Sequence, residues 1–280
     1  MQVQTAIAVD WSGARAGGGR TIWLAEVTGK ELVAFKNRWN RESILAWLIA
    51  RAERDPALVL GLDFAFSFPA WFVTERLGGT AEAAWQQALA NGEAWLEDGA
   101  SPFWGRPGIY RPVLEGGRAH FRATDAPLTG AYGHPKSVFQ VGGAGAVGTG
   151  SIRGMPLLAG LRRAGFAIWP FDPPSLPLVV EIYPRALTGP VIKSDPGARR
   201  QYLDAWEWPT DPAVRAGVAE TEDSFDAAVS ARQMVLHADE FGDLPAPSEL
   251  EKIEGRIWVP EARLDHPTVT PRAPEAPPLG

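Results

Sequence analysis

The chain has 280 residues, 45% hydrophobic and 21% charged, an ordinary globular composition with length for one large domain or two small ones. It has no cysteine, which excludes disulfides, thiolate nucleophiles and cysteine-ligated zinc. Its net charge of −6 argues against a general polyanion binder. The absence of any apolar run of roughly 20 residues, or of signal-peptide character in Met1–Thr5, points to a cytoplasmic protein without membrane contact.

Three short strands are expected first, over Thr5–Val9, Thr21–Val27 and Glu31–Asn37, joined by Gly-rich linkers that suit antiparallel hairpins. The period changes at Ser43, where Ile44, Leu48 and Ala52 share one helical face until Asp55-Pro56 stops the helix. Ala57–Leu62 is a continuous apolar run, as a buried parallel strand requires. The segment from Pro69 to Gly150, 69–150, reads as a long insertion with one helix around Ala81–Ala90 and loops rich in Gly, Pro and aromatics. Beyond it the sequence suggests a helix over Met155–Ala164, a strand over Leu178–Ile182 and a helix over Thr221–His237. The Pro-rich stretch 266–280 reads as a disordered tail after a single domain, 1–265.

The apolar runs share a feature with chemical meaning. The first ends in Val9-Asp10-Trp11-Ser12-Gly13, the fourth in Leu62-Asp63, and a later one in Val180-Glu181. The last helix opens Glu222-Asp223-Ser224-Phe225-Asp226 and continues with small residues that allow close packing on a sheet. Asp223 and Asp226, three apart, share a helical face. A strand that ends in a carboxylate delivers it to the carboxyl edge of the sheet, where α/β ligand sites form. Carboxylates arriving from separate elements are what a hard divalent cation, Mg or Mn, needs. Asp10, Asp63, Glu181 and Asp226 are therefore the candidate catalytic residues, and Asp10, Asp63, Asp226 and Asp223 the candidate metal ligands.

The middle of the chain is locally positive. Between Ala126 and Phe171 there is no acid, while Lys136, Arg153, Arg162 and Arg163 fall inside that stretch. Lys136 and Arg153 are candidate phosphate clamps, and Gly145 and Gly148 belong to a Gly-rich loop whose backbone could approach a phosphate. Gly143-Ala-Gly-Ala-Val-Gly148 also matches the dinucleotide fingerprint literally, but it is mid-chain, Gly and Ser run on through Gly150-Ser151 before a helix is expected, and the first acid afterwards, Asp172, follows Trp169-Pro170.

The ordered pieces Ala-Val-Asp10, Gly-Leu-Asp63, Lys136-Ser-Val-Phe-Gln140, Gly145-Ala-Val-Gly148, Arg153-Gly-Met-Pro156, Val-Glu181-Ile-Tyr-Pro184, Asp223-Ser-Phe-Asp226 and Glu254-Gly-Arg-Ile-Trp-Val-Pro260 resemble a family of predicted nucleases, domain of unknown function 429, in the ribonuclease H-like superfamily. The resemblance implies an α/β fold with a mixed sheet, three antiparallel strands followed by parallel ones, flanked by helices and carrying a large insertion after strand four. It also implies a two-metal phosphodiester hydrolase acting on nucleic acid or a nucleotide. Asp10 would match the strand-one acid, Asp63 the strand-four acid (often Glu in the superfamily) and Asp226 the final-helix acid; Glu181 belongs to the family's own Glu-x-x-Pro pattern.

Two other readings share the same core. An actin-like or sugar-kinase-like phosphotransferase would use Asp10-Trp-Ser-Gly13 as its first phosphate loop, but needs a second domain and a second such loop. A non-catalytic scaffold would bind nucleic acid or a protein, using Trp104, Tyr110 and Phe121 among the arginines of the insertion for base stacking.

Overall fold

The computed structural model describes residues 3–15, 21–143, 145–261, 264 and 267. The expected Gly17-Gly18-Gly19 linker and, apart from Pro267, the expected tail lie outside the described residues. Strands β1 (Thr5–Asp10), β2 (Trp23–Thr28) and β3 (Glu31–Lys36) form the antiparallel meander that the short linkers require. Helix α1 (Arg41–Arg54) then crosses to β4 (Leu58–Leu62), which pairs parallel with β1. α1 starts at a capping box. The Asn40 side chain accepts from the Ser43 N–H at 2.6 Å, and the Ser43 hydroxyl accepts from the Asn40 N–H at 3.0 Å.

After β4 come α2 (Ala70–Arg76), α3 (Ala81–Asp98) and an irregular stretch with a 3₁₀ turn at Ala123–Leu128. Next are α4 (Gly148–Arg163), the short β5 (Ala167–Ile168) and β6 (Leu178–Glu181). Helices α5 (Pro184–Thr188), α6 (Pro196–Ala205) and α7 (Pro212–Val218) lead to α8 (Glu222–Leu236), followed by α9 (Glu251–Glu254). The sheet order is β3-β2-β1-β4-β6-β5, so the fold is α/β with a mixed sheet, antiparallel at one side and parallel at the other.

Helices cover both faces. The side chains of Ile7, Val9, Leu58, Leu60 and Leu62 join α1, α3 and α4 in one buried cluster. Ala6, Ala8, Val59, Leu178 and Val180 join α8 and the helices before it in the other. Each fully buried aliphatic side chain contributes about 1.5–3 kcal/mol to holding these layers together. The small residues of α8, Ala227, Ala228 and Ala231, are fully or almost fully buried, and the helix lies directly on β1 and β2.

Two expectations need correction. The helix expected from Met155 begins at Gly148, so 69–150 is not wholly loop at its end. Gly148 is what permits this: a Cβ there would stand 2.2 Å from the Val138 carbonyl oxygen and 2.7 Å from that of Gln140. The helix expected over Ala81–Ala90 runs on to Asp98. Gly92 and Leu96 extend the buried stripe of Ala84, Trp85 and Ala88, and Gly99 ends the helix in the left-handed conformation (φ 57°).

Candidate metal and phosphate site

Strand alternation decides which carboxylates meet. In β1, Ala6 and Ala8 face α8, so Asp10, two further on, faces it as well. In β4, Val59 faces α8, and Asp63 continues that parity just past the strand end. The strands are in register, with Val9 opposite Leu62, and the Asp63 N–H bonds the Val9 carbonyl at 3.1 Å. Both aspartates therefore emerge side by side at the carboxyl edge of the sheet, beneath the first turns of α8. There Thr221 and Ser224 form a capping box that fixes the helix start, and α8 brings Asp226 and Asp223 to the same place.

The electrostatics bear the mark of crowding. The Asp10 carboxyl is raised well above the ordinary range by burial and by the charges of Asp63, Asp226 and Asp223. Burial, followed by the charge of Asp226, pushes Asp63 up to about 8. Asp226 is raised to about 6 by burial, against the pull of Lys193, and Asp223 is raised by burial and by Glu222. Among the described residues a cation answers these acids: the Lys193 ammonium donates to Asp226 Oδ2. Lys193 comes from the loop between α5 and α6. Its carbonyl accepts from the buried Arg199, which also bonds the carbonyls of Ala219 and Glu220 (both 2.9 Å) just before α8.

Among the described residues, no group of three or more His, Asp or Glu side chains stands in coordinating positions as the side chains lie. The cluster nevertheless fits a hard divalent cation in its chemistry. Its donors are carboxylate oxygens that repel one another, and Asp226 Oδ1 is buried without any hydrogen-bond partner.

Glu181 has the opposite parity. Leu178 and Val180 face α8, so Glu181 faces the insertion. Its carboxylate accepts from both terminal nitrogens of Arg122, at 2.8 Å for Oε2, and Oε2 also accepts the Phe66 N–H at 2.9 Å. Arg122 in turn grips Asp125 through Nε and Nη2, at 3.1 and 2.7 Å, and donates to the Glu254 carbonyl at 3.0 Å. Burial raises the Glu181 carboxyl while Arg122 lowers it. This network ties the 3₁₀ turn and α9 to the end of β6.

A cavity of about 360 Å³ opens beside Asp63, walled by Trp11, Lys136, Thr149, Gly150, Glu181 and Tyr183. The start of α4 faces it, with Val147 as an N-cap that supplies no side-chain hydrogen bond; a helix N-terminus of this kind favours an anion. The turn after β1 is locked to that helix start. Trp11 Nε1 donates to the Gly150 carbonyl at 3.1 Å, and a Cβ on Gly13 would stand 2.7 Å from the Gly150 nitrogen.

Lys136 thus stands at the cavity, close to Gly145, which has φ +69°. Gly148 sits behind it, against Val138 and Gln140. Arg153 does not reach the cavity: it pairs with Glu93 at 2.7 Å and donates to the Gly13 carbonyl, so it braces the turn that follows Asp10. Sequence reasoning missed Lys193 and gave no individual role to Tyr183, inside the Val-Glu181-Ile-Tyr-Pro184 piece, or to Arg122, one of the arginines of the basic stretch before Ala126. Lys193 lies outside the apolar runs that gave the other residues away, and nothing in its local spacing marks it.

The chain matches no known family model, no curated protein and no solved structure.

Proposed function

We propose that this chain is a Mg- or Mn-dependent phosphodiester hydrolase acting on nucleic acid, on a ribonuclease H-like core. The observation that carries this reading is the convergence of Asp10, Asp63, Asp226 and Asp223 at one sheet edge, all with raised carboxyls, beside a cavity that offers Lys136 and a helix N-terminus. The strand order, with β1 central between the antiparallel and parallel halves, supports the ribonuclease H-like assignment, as do the ordered motifs that resemble the predicted nucleases.

A divalent cation, when bound, supplies a Lewis acid for the phosphoryl oxygens and lowers the pKa of a water nucleophile. Asp10, Asp63, Asp226 and Asp223 would hold it, and must give up their protons to do so. Lys193 keeps Asp226 ionised and oriented. Lys136 and the α4 amides would neutralise and orient the phosphate oxygens that face away from the carboxylates. Trp11, Gly13 and Arg153 hold the β1 turn so that Asp10 stays in place.

The expected result is cleavage of single-stranded or junction-containing oligonucleotides in Mn²⁺ and none in EDTA. The test is a panel of end-labelled DNA and RNA substrates resolved on gels. Phosphate transfer from ATP in place of cleavage would give the phosphotransferase reading instead.

A further inference from the structure

The cavity at Asp63 adjoins a second one of about 520 Å³, and Arg122, Asp125, Pro135 and Lys136 line both. The far wall is formed by Trp104, Arg111 and Phe121. The Arg111 guanidinium lies over both rings, 5.6 Å from the Trp104 centroid and 5.2 Å from that of Phe121. His120 steadies it, with Nδ1 3.2 Å from Arg111 Nη2 and its ring edge-on to Trp104 at 4.9 Å. Phe121 is 40% exposed.

The charge of this cavity is one-sided. Its acid, Asp125, is wholly engaged by Arg122. Arg111 and Lys136 form no ion pair among the described residues. A chamber with an exposed ring, a flat guanidinium and unneutralised positive charge suits a ligand that is both aromatic and anionic. Its volume is in the range of small-ligand sites, and Lys136 stands in the wall it shares with the cavity at Asp63.

We propose that this second cavity seats a base of single-stranded nucleic acid, stacked on Phe121 and Arg111, with Lys136 on the phosphate that leads to the carboxylate cluster. The inference rests on the hydrolase reading for the direction of the strand, but base binding itself needs no cation. Seating a base here fixes how the backbone enters the site and favours unpaired strands, since a base in a duplex cannot reach a walled chamber.

The test is fluorescence anisotropy with a labelled oligothymidylate of about twelve nucleotides, a length within the usual site sizes, in EDTA. Phe121→Ala and Arg111→Ala should each weaken binding about fivefold or more, the low end of what one stacked base contributes. Phe121→Trp should retain binding. An abasic strand of equal length should bind the wild type as weakly as the thymidylate binds Phe121→Ala. Lys136→Ala should lower the slope of log K against log salt by about one. Unchanged affinity in Phe121→Ala and Arg111→Ala, equal affinity for the abasic strand, or no wild-type binding would each overturn the base site. The hydrolase reading fails separately: binding with these sensitivities but no cleavage in Mn²⁺ removes the hydrolase and leaves the base site standing.

Discussion

Asp63→Asn is expected to cost about a thousandfold or more in Mn²⁺-dependent hydrolysis while making the metal-free protein more stable at pH 8. The first effect follows from losing a ligand to a cation that supplies several kcal/mol of transition-state stabilisation. The second follows from linkage. The unfolded carboxyl titrates near 3.8 and the folded one at about 8. Between those values the folded chain holds a proton that the unfolded chain releases, so stability falls as pH rises from about 4 to about 8. Half of that displacement corresponds to about 3 kcal/mol, since Asp63 shares its burden with Asp10 and Asp226. The Asn variant lacks this penalty, and its Tm should exceed the wild type's by about 6 °C at pH 8 and match it at pH 4. Scanning calorimetry in EDTA at both pH values reads this directly. A lower Tm at pH 8 would mean that Asp63 is a structural carboxylate with a partner, and retained hydrolysis would remove it from the site.

Arg122→Met is expected to be the most destabilising single change in the insertion. The guanidinium is 3% exposed and serves Glu181, Asp125 and the Glu254 carbonyl together. Removing it leaves two buried carboxylates without their cation, a loss of about 3–5 kcal/mol. That corresponds to a fall in Tm of about 10 °C. Arg122→Lys should recover little, because a point charge cannot serve two carboxylates and a carbonyl from one planar fork. Adding Glu181→Gln to Arg122→Met should recover part of the loss, and that non-additivity identifies the pair. A Tm within 1–2 °C of the wild type, about the range of an ordinary surface substitution, would show that the network is not what fastens the insertion to β6.

Much of the candidate site is legible in the sequence because its residues end apolar runs. Asp10 and Asp63 follow strands whose burial is plain from composition, and Asp226 interrupts a run of small buried residues that capping does not explain. The direction of Glu181 is not legible. β6 is apolar at every position before it, so alternation gives no face, and only the pairing of Leu62 with Glu181 sets the parity that turns it toward Arg122. Lys193 and Arg122 escape for a different reason. They reach their partners from irregular segments, 33 and 59 residues away in sequence, where no period constrains the direction of a side chain. The start of α4 is hidden by its own glycines: Gly148 and Gly150 read as loop, yet Gly148 is what lets the helix begin against Val138 and Gln140, and Gly13 is what lets the β1 turn close on it.

The carboxylate cluster also explains why an acidic protein can receive a polyanion. Once ionised, four acids at one point exclude a phosphate unless a cation intervenes, whereas Lys136, Arg111 and the α4 N-terminus line the adjoining cavities. The positive approach and the negative centre are thus neighbouring surfaces that meet at the cavity beside Asp63. Calorimetric titration of Mn²⁺ into the wild type and into Asp10→Asn at pH 8 tests this most directly, because it needs no substrate. The wild type is expected to bind Mn²⁺ with release of protons from the cluster, and Asp10→Asn to lose that binding. Equal binding by both proteins would contradict this, as would no binding by the wild type.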